Sequence, residues 1–236
     1  MSIFRFKQFS IDQTGCAMKV NTDGVLLGAL ADAKHAESIL DIGTGTGVIA
    51  LMLAQRFATA QIDAVELDET AAQTALNNFQ NSPFNSRLQI HTQSFQYYFK
   101  LHSDKKYDFI VSNPPFYIQS LQSPQAGKNM AKHADSDFFE QLIKFCAQQL
   151  LPCGKVWLIL PLSTSALVKQ LAIAQRLCVQ QTISILSYPQ SAPHRQILVL
   201  GFHQTETEEQ RLIIYSEPKI YTDTYRSVLK DFLTIF

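Results

Sequence analysis

From Ser38 to Phe202 the chain alternates short β-rich runs with stretches of helical period, and no other feature limits its fold as strongly. The β-rich runs fall at 38–43, 61–68, 87–94, 107–113, 155–161, 182–188 and 196–202, and helical spacing fits 47–57, 69–81, 136–150 and 164–176. Four of the runs are almost continuously apolar, the pattern of strands covered on both faces. Alternating β and α units predict an α/β fold with a doubly wound, mostly parallel, seven-stranded sheet. Such sheets take ligands beyond the carboxyl ends of their strands, near the point where the strand order reverses.

The 236 residues are expected to form one domain: an N-terminal lid segment at 1–37, a core at 38–204 and an extension at 205–236 packed on the core. No apolar run reaches the ~18 residues of a membrane span, and "MSIFRFKQFS" lacks the run and cleavage site of a signal peptide. The cytoplasm is the expected compartment, with Cys16, Cys146, Cys153 and Cys178 reduced and mostly buried. Neither the cysteines nor the scattered histidines show metal-site spacing, so no metal is expected. Net charge is zero, which argues against bulk electrostatic capture of nucleic acid but leaves room for a local basic patch.

The first core strand ends in "LDIGTGTGVIALMLAQRF", with Gly43, Gly45 and Gly47 alternating where a helix begins. Glycine permits positive φ and close approach of a ligand to the backbone, and a setting between strand and helix strengthens that reading. The spacing is G-x-G-x-G rather than the G-x-G-x-x-G of dinucleotide folds. With Asp41 two residues upstream, it resembles the first motif of S-adenosylmethionine-dependent methyltransferases. That cofactor carries a cationic amino group and a sulfonium, which Asp41 suits directly or through water. Glu66 ends the second strand about 20 residues on, where an acid accepts bonds from ribose hydroxyls. Asp68 reads as the cap of the next helix. Methyltransferases of this class often place an acid after the third strand for the adenine amino group; this chain has Ser94, or a backbone group nearby, for that bond.

The fourth strand delivers Asn113-Pro114-Pro115-Phe116 to the same edge. An exocyclic amine on a base is a poor nucleophile because its lone pair is delocalised into the ring. Two acceptors aimed at its N–H bonds localise that pair, and Asn113 offers a side-chain carbonyl while Pro114 offers a backbone one. Pro114 and Pro115 have no N–H to compete for the substrate. Phe116 would stack on the base, returning ~1–3 kcal/mol of the cost of flipping it out. The tetrapeptide also serves enzymes that methylate cytosine N4, guanine N2 or a glutamine amide.

Several further stretches resemble one family closely: F-K-Q-F at 6–9, "CAMKVNTDGVLLGA" at 16–29, the glycine motif, "SNPPFY" at 112–117, "PHR" at 193–195 and the tail "YTDTYRSVLKDFLTIF". The chain is similar over nearly its whole length to the bacterial tRNA1(Val) (adenine(37)-N6)-methyltransferases. The resemblance implies a Rossmann-like class I fold, S-adenosylmethionine as cofactor, S-adenosylhomocysteine as its product, and a valine tRNA as partner. It implies no obligate protein partner. It also supports Asp41, Gly43 and Glu66 at the cofactor, Thr22 and Asp23 over its methionine end, and Asn113 to Phe116 at the base. Asn21, where a glycine is expected, and Ser94, where an acid is expected, depart from the pattern.

Read by itself, the N-terminal segment is an amphipathic lid, with Lys19, Thr22 and Asp23 polar and "GVLLGALA" helical. The stretch 118–134 has no acid and is expected to be a loop at the mouth of the site, with Lys128, Lys132 and His133 facing RNA. Arg195 is a second phosphate candidate. Tyr225, Val228, Leu229 and Phe232 recur at helical spacing and are expected in the core. Two other readings stand beside tRNA methylation. One is N5-glutamine methylation of a protein such as a release factor, though the helical domain usual there is missing from the pattern. The other is an inactive cofactor-binding RNA module.

Overall fold

A computed structural model describes residues 2–33, 35–115 and 128–236, the side chains of 128–135 excepted. The chain opens with a hairpin, β1 (Ile3–Arg5) and β2 (Ser10–Asp12), followed by helix α1 (Thr22–Leu30). The α/β alternation then begins: β3 (Ser38–Ile42), α2 (Val48–Arg56), β4 (Gln61–Glu66), α3 (Glu69–Gln80), β5 (Leu88–Thr92), α4 (Phe95–Leu101) and β6 (Tyr107–Ser112). It continues with α5 (Lys128–Gln149), β7 (Leu150–Leu160), α6 (Leu162–Ala174), β8 (Cys178–Leu186) and β9 (Arg195–Gly201). The chain closes with β10 (Glu208–Ile213), the short pair β11 (Tyr215–Glu217) and β12 (Ile220–Tyr221), and α7 (Asp223–Leu229).

Among the described residues eight strands form the central sheet, in the order β10-β8-β9-β7-β6-β3-β4-β5. All run parallel except β9, which is antiparallel to both neighbours. The seven strands expected from the sequence are present; the eighth, β10, comes from the segment expected to lie on the core as an extension. Its burial pattern explains the difference: only Leu212 of β10 is buried, so an edge strand with polar faces carries little apolar signal.

Side chains alternate strictly across the sheet. Ile39, Phe109, Val111, Trp157, Ile159, Ile197 and Val199 face α1, α2 and α7. Leu40, Ile42, Ile110, Val156, Leu158, Leu160 and Leu198 face α4, α5 and α6. Helix α1 carries the apolar stretch "GVLLGALA" onto the sheet, as expected, while its polar start holds Thr22 and Asp23. Gly24 through Ala29 are all buried, the condition of a helix enclosed by protein rather than laid on its surface. Helix α5 starts at Lys128, eight residues before the expected 136, so residues 128–134 belong to a helix rather than to a loop. Cys16 and Cys146 are buried and free, but Cys153 is exposed and Cys178 half-buried, fewer than expected inside. Tyr225, Leu229 and Phe232 are buried and Val228 packs on the core, as expected.

The strand order reverses at β3, which has β4 on one side and β6 on the other. The glycine turn follows β3 and Asn113 follows β6. The two segments singled out in the sequence therefore leave the sheet side by side, at the position the fold reserves for ligands.

Candidate active site

The turn after β3 is held from several directions. Gly43, Gly45 and Gly47 have φ of 72°, 57° and 84°, the left-handed region that strains any side chain with a Cβ. The backbone of β4 accepts from Gly43 N at 2.8 Å, and Glu66 Oε2 accepts from Gly45 N at 2.8 Å. Buried Asn78 of α3 donates to Thr46 O at 2.9 Å. A Cβ on Gly47 would meet Phe79 Cε1 at 2.4 Å, whereas one on Gly43 or Gly45 would meet nothing within 4 Å. Gly47 is therefore needed for packing, and Gly43 and Gly45 present bare backbone to open space.

Asp41 lies beneath this turn, fully buried. Its Oδ2 accepts from Thr44 Oγ1 at 2.6 Å, and its Oδ1 has no partner among the described residues. Burial pushes its pKa up to about 7; the Thr44 hydroxyl and the Ala50 backbone N–H oppose the rise, and the nearby Glu66 adds to it. Glu66 ends β4 half-buried. Besides Gly45 N, it accepts from Asp68 N at 2.9 Å through Oε1, so each oxygen keeps a lone pair for a further donor. Asp68 caps α3 as expected, accepting from Ala71 N at 2.8 Å.

Leu67, next to Glu66, is 69% exposed. Sequence reading passed over it; an apolar residue directly after a strand-ending acid was the available signal. Ser94 stands at the end of β5 and caps α4, accepting from Tyr97 N at 3.2 Å. Asn21 has the same role at α1, where its Oδ1 accepts from Gly24 N at 2.9 Å. Its departure from glycine thus has a structural use.

Asn113 is half-buried, yet its Oδ1 is shielded from solvent and has no partner among the described residues. The first turn of α1 lies against it: a Cβ on Gly24 would sit 3.8 Å from Asn113 Nδ2 and 3.5 Å from Val48 Cγ1. Pro114 is buried and Pro115 half-buried. Phe116 lies outside the described residues. So do the side chains of Lys128, Lys132 and His133, whose backbone forms the start of α5.

Thr22 is exposed at the first position of α1. Asp23, expected over the methionine end, accepts from Arg195 Nε at 2.7 Å. Arg195, expected to meet phosphate, thus joins β9 to α1. The sequence grouped Asp41, the glycines, Glu66 and Asn113, and the fold brings these to neighbouring strand ends on one edge of the sheet. Two open clefts of about 500 and 530 Å³ lie elsewhere, one near Asp32 and Arg56 at the amino edge of the sheet, the other between α4 and α5. Among the described residues no group of three metal-ligating side chains occurs.

A Rossmann-like sheet with a glycine turn, a strand-end acid and an N-P-P segment at its switch point is that of a class I methyltransferase. Residues 19–161 match the model of the methyltransferase small domain family. In structure the chain is similar to an Agrobacterium tumefaciens protein described as a predicted O-methyltransferase, with a TM-score of 0.69 at 16% identity over 89% of this chain and 96% of that one. A methyltransferase from Pyrococcus furiosus gives 0.56 at 19% identity over 81% and 91%. Sequence relatives are nearer. A tRNA1(Val) (adenine(37)-N6)-methyltransferase from Pedobacter heparinus is 47% identical over 99% of this chain and 98% of its own. That of Bacteroides fragilis is 39% identical over 97% and 96%. The chain belongs to the tRNA1(Val) (adenine(37)-N6)-methyltransferase family.

Proposed function

We propose that this protein transfers a methyl group from S-adenosylmethionine to N6 of adenine 37 in tRNA1(Val), and does so in the cytoplasm. The observation that carries the reading is the buried Asn113 Oδ1, without a partner among the described residues, at the strand end next to an open glycine turn. A buried acceptor without a donor costs about 1–3 kcal/mol, and a substrate N–H would relieve it.

The residues present fit the cofactor. Gly43 and Gly45 would let it approach the backbone, and Asp41, whose Oδ1 has no partner among the described residues, would meet its cationic amino group directly or through water. Glu66 accepts from ribose hydroxyls, Leu67 offers an apolar surface to the adenine plane, and Ser94 lies at the edge where the adenine amino group would reach. When bound, S-adenosylmethionine supplies a sulfonium-activated methyl group. Asn113 Oδ1 and the Pro114 carbonyl accept the two N–H bonds of the target amine and turn its lone pair toward that methyl. Phe116 holds the flipped base by stacking. Rate then comes from holding nitrogen and methyl in line and from the two fixed carbonyls. Nothing in this arrangement would need a dedicated base, because a methylated amine would lose its extra proton readily to water.

The test is transfer of radiolabelled methyl from S-adenosylmethionine to unmodified bulk tRNA, followed by nucleoside analysis. N6-methyladenosine in a valine tRNA is the expected product. Label in a protein fraction instead would replace this reading with glutamine methylation. No label, with cofactor still bound, would leave a binding module.

A further inference from the structure

Beyond Asn113, the carboxyl edge of the sheet continues across β7, β9 and β8 to β10. Its chemistry there differs from that of the cofactor half. From Gln141 to Thr205 the chain contains no aspartate or glutamate, and of the basic residues in that stretch Arg195, at the start of β9, lies on this edge. The turn after β7, the connection 187–194 and the start of β9 all come from this stretch and all lie on the carboxyl edge. The carboxylate that α1 brings to the start of β9, Asp23, is neutralised by Arg195 at 2.7 Å.

Two exposed apolar groups stand on these acid-free connections. Leu162, the first residue of α6 after β7, is 42% exposed, and Tyr188, two residues past the end of β8, is 36% exposed. Tyr188 is the outer end of a column of rings. It packs on Tyr215 at 5.7 Å between centroids, Tyr215 on Tyr221 at 4.9 Å and 24°, and Tyr221 on Tyr225 at 5.1 Å and 11°. Phe236 closes the column edge-on against Tyr221 and Tyr225. Tyr225 is buried in the core and Tyr188 reaches solvent, so the outer ring is backed by a stack anchored in the fold. The backbone supports it too: Tyr215 N donates to Ser187 O at 2.9 Å, and His194 N to Ile185 O at 3.0 Å.

An exposed apolar side chain and an exposed ring on connections that contribute no carboxylate of their own suit one partner chemistry, the unstacked bases of a single-stranded RNA loop, whose phosphates acids would repel. A duplex offers no free base faces. We propose that the edge from Leu162 to Tyr188 receives the single-stranded nucleotides flanking the target adenine, with one base stacking on Tyr188. Three strand steps separate β6 from β8, about 14 Å at the usual spacing, so the path begins where the target amine would sit. The far end carries both signs, with Glu217 and Lys219 exposed on the β11–β12 pair, and marks where the acid-free path stops. This inference rests on the RNA-methylating reading above and adds how the loop is held.

The experiment uses the whole protein and a labelled RNA hairpin carrying the anticodon-loop sequence of a valine tRNA. Kd is read by fluorescence anisotropy, and KM and kcat are read separately with tRNA at saturating cofactor. Tyr188→Ala is expected to raise hairpin Kd and tRNA KM about 5- to 150-fold, the loss of one base stack, with kcat and cofactor affinity kept. Tyr188→Phe should restore binding, because the ring is what matters. Ile173→Ala, at a 75% exposed position on α6, is the control and should bind like the wild type. The same RNA annealed to its complement should bind weakly and equally to all four proteins. Wild-type affinity in Tyr188→Ala, with methylation intact, would overturn this inference and leave the enzymatic reading standing. Failure of the wild-type protein both to bind the hairpin and to methylate tRNA would overturn both; failure to bind the hairpin with tRNA methylation intact would overturn this inference alone.

Discussion

Asp41 and Asp63 are buried aspartates on neighbouring strands, facing opposite sides of the sheet, and their surroundings could hardly differ more. Asp63 of β4 is saturated. His91 Nε2 lies 2.8 Å from Oδ1, Lys105 Nζ donates to Oδ2 at 2.5 Å and Tyr107 OH donates to Oδ2 at 3.0 Å. Tyr98 adds a short hydroxyl contact to Tyr107 and packs on the rings of His91 and His102. Burial alone would raise the Asp63 pKa, but the bonds from His91, Lys105 and Tyr107 outweigh it and hold the carboxyl below its usual range. Asp41 of β3 has the Thr44 hydroxyl and help from the Ala50 backbone N–H at the start of α2, its Oδ1 has no close partner among the described residues, and burial drives it up to about 7. A saturated buried charge serves the fold; one with an oxygen left open, beside an Asn113 Oδ1 likewise without a partner among the described residues, is the kind proposed above to meet ligands.

The sharpest way to break this contrast is at the open oxygens. Asn113→Ala should lower kcat by about 10²- to 10³-fold, as expected for removing one acceptor of developing charge, with thermal stability within the noise. A Tm drop matching the activity loss would mean that Asn113 supports the fold instead. Asp63→Ala is the mirror experiment. It strands the Tyr107 hydroxyl and the His91 ring, and should cost about 3 kcal/mol of stability, read by denaturant titration, while cofactor affinity of the folded protein stays put.

The contrast also has a pH signature of opposite sign at the two sites. Asp63 ionises more easily in the fold than in the unfolded chain, so its contribution is present above the usual carboxylate range and is lost as acid titrates it through its lowered value. Asp41 holds its proton in the fold up to about 7, so its contribution is largest in acid and declines as pH rises toward that value. A cationic ligand should reverse this, because it binds the ionised form. S-adenosylmethionine affinity, measured by calorimetry, is expected to strengthen by up to about tenfold per pH unit below 7 and then level off. Asp41→Asn should flatten that profile, weaken binding at neutral pH, and raise Tm above pH 7. A lower Tm there would show that the charge is compensated in the native state.

What sequence could show follows the same division. Asp41, the glycines, Glu66 and Asn113 were legible because each sits at a fixed offset from a strand end, and strand ends announce themselves by apolar runs and turn residues. The Asp63 cluster was not, because its members come from β4, β5, α4 and β6 and only the sheet register brings them together. Arg195 was legible as a charge but not as the partner of Asp23, 172 positions away. Strand β10 and helix α4 escaped for a simpler reason: one is a polar edge and the other is short, and neither offers a long period to detect.

Ser94 tests the division most finely, since it stands where local and ligand roles compete. Its oxygen accepts from Tyr97 N, the ordinary work of an N-cap, and the same oxygen lies at the strand end expected to meet the cofactor's adenine amino group. Ser94→Ala removes both roles and should cost about 1 kcal/mol of stability. Ser94→Asp separates them. Aspartate caps a helix about as well as serine, and a carboxylate is a stronger acceptor for an amine than a hydroxyl. The variant should therefore keep wild-type Tm and bind S-adenosylmethionine several-fold more tightly, by about 1 kcal/mol at most. Unchanged affinity with the cap intact would assign Ser94 to the fold, on the same side as Asp63, and leave the adenine amino group to a backbone acceptor at the end of β5.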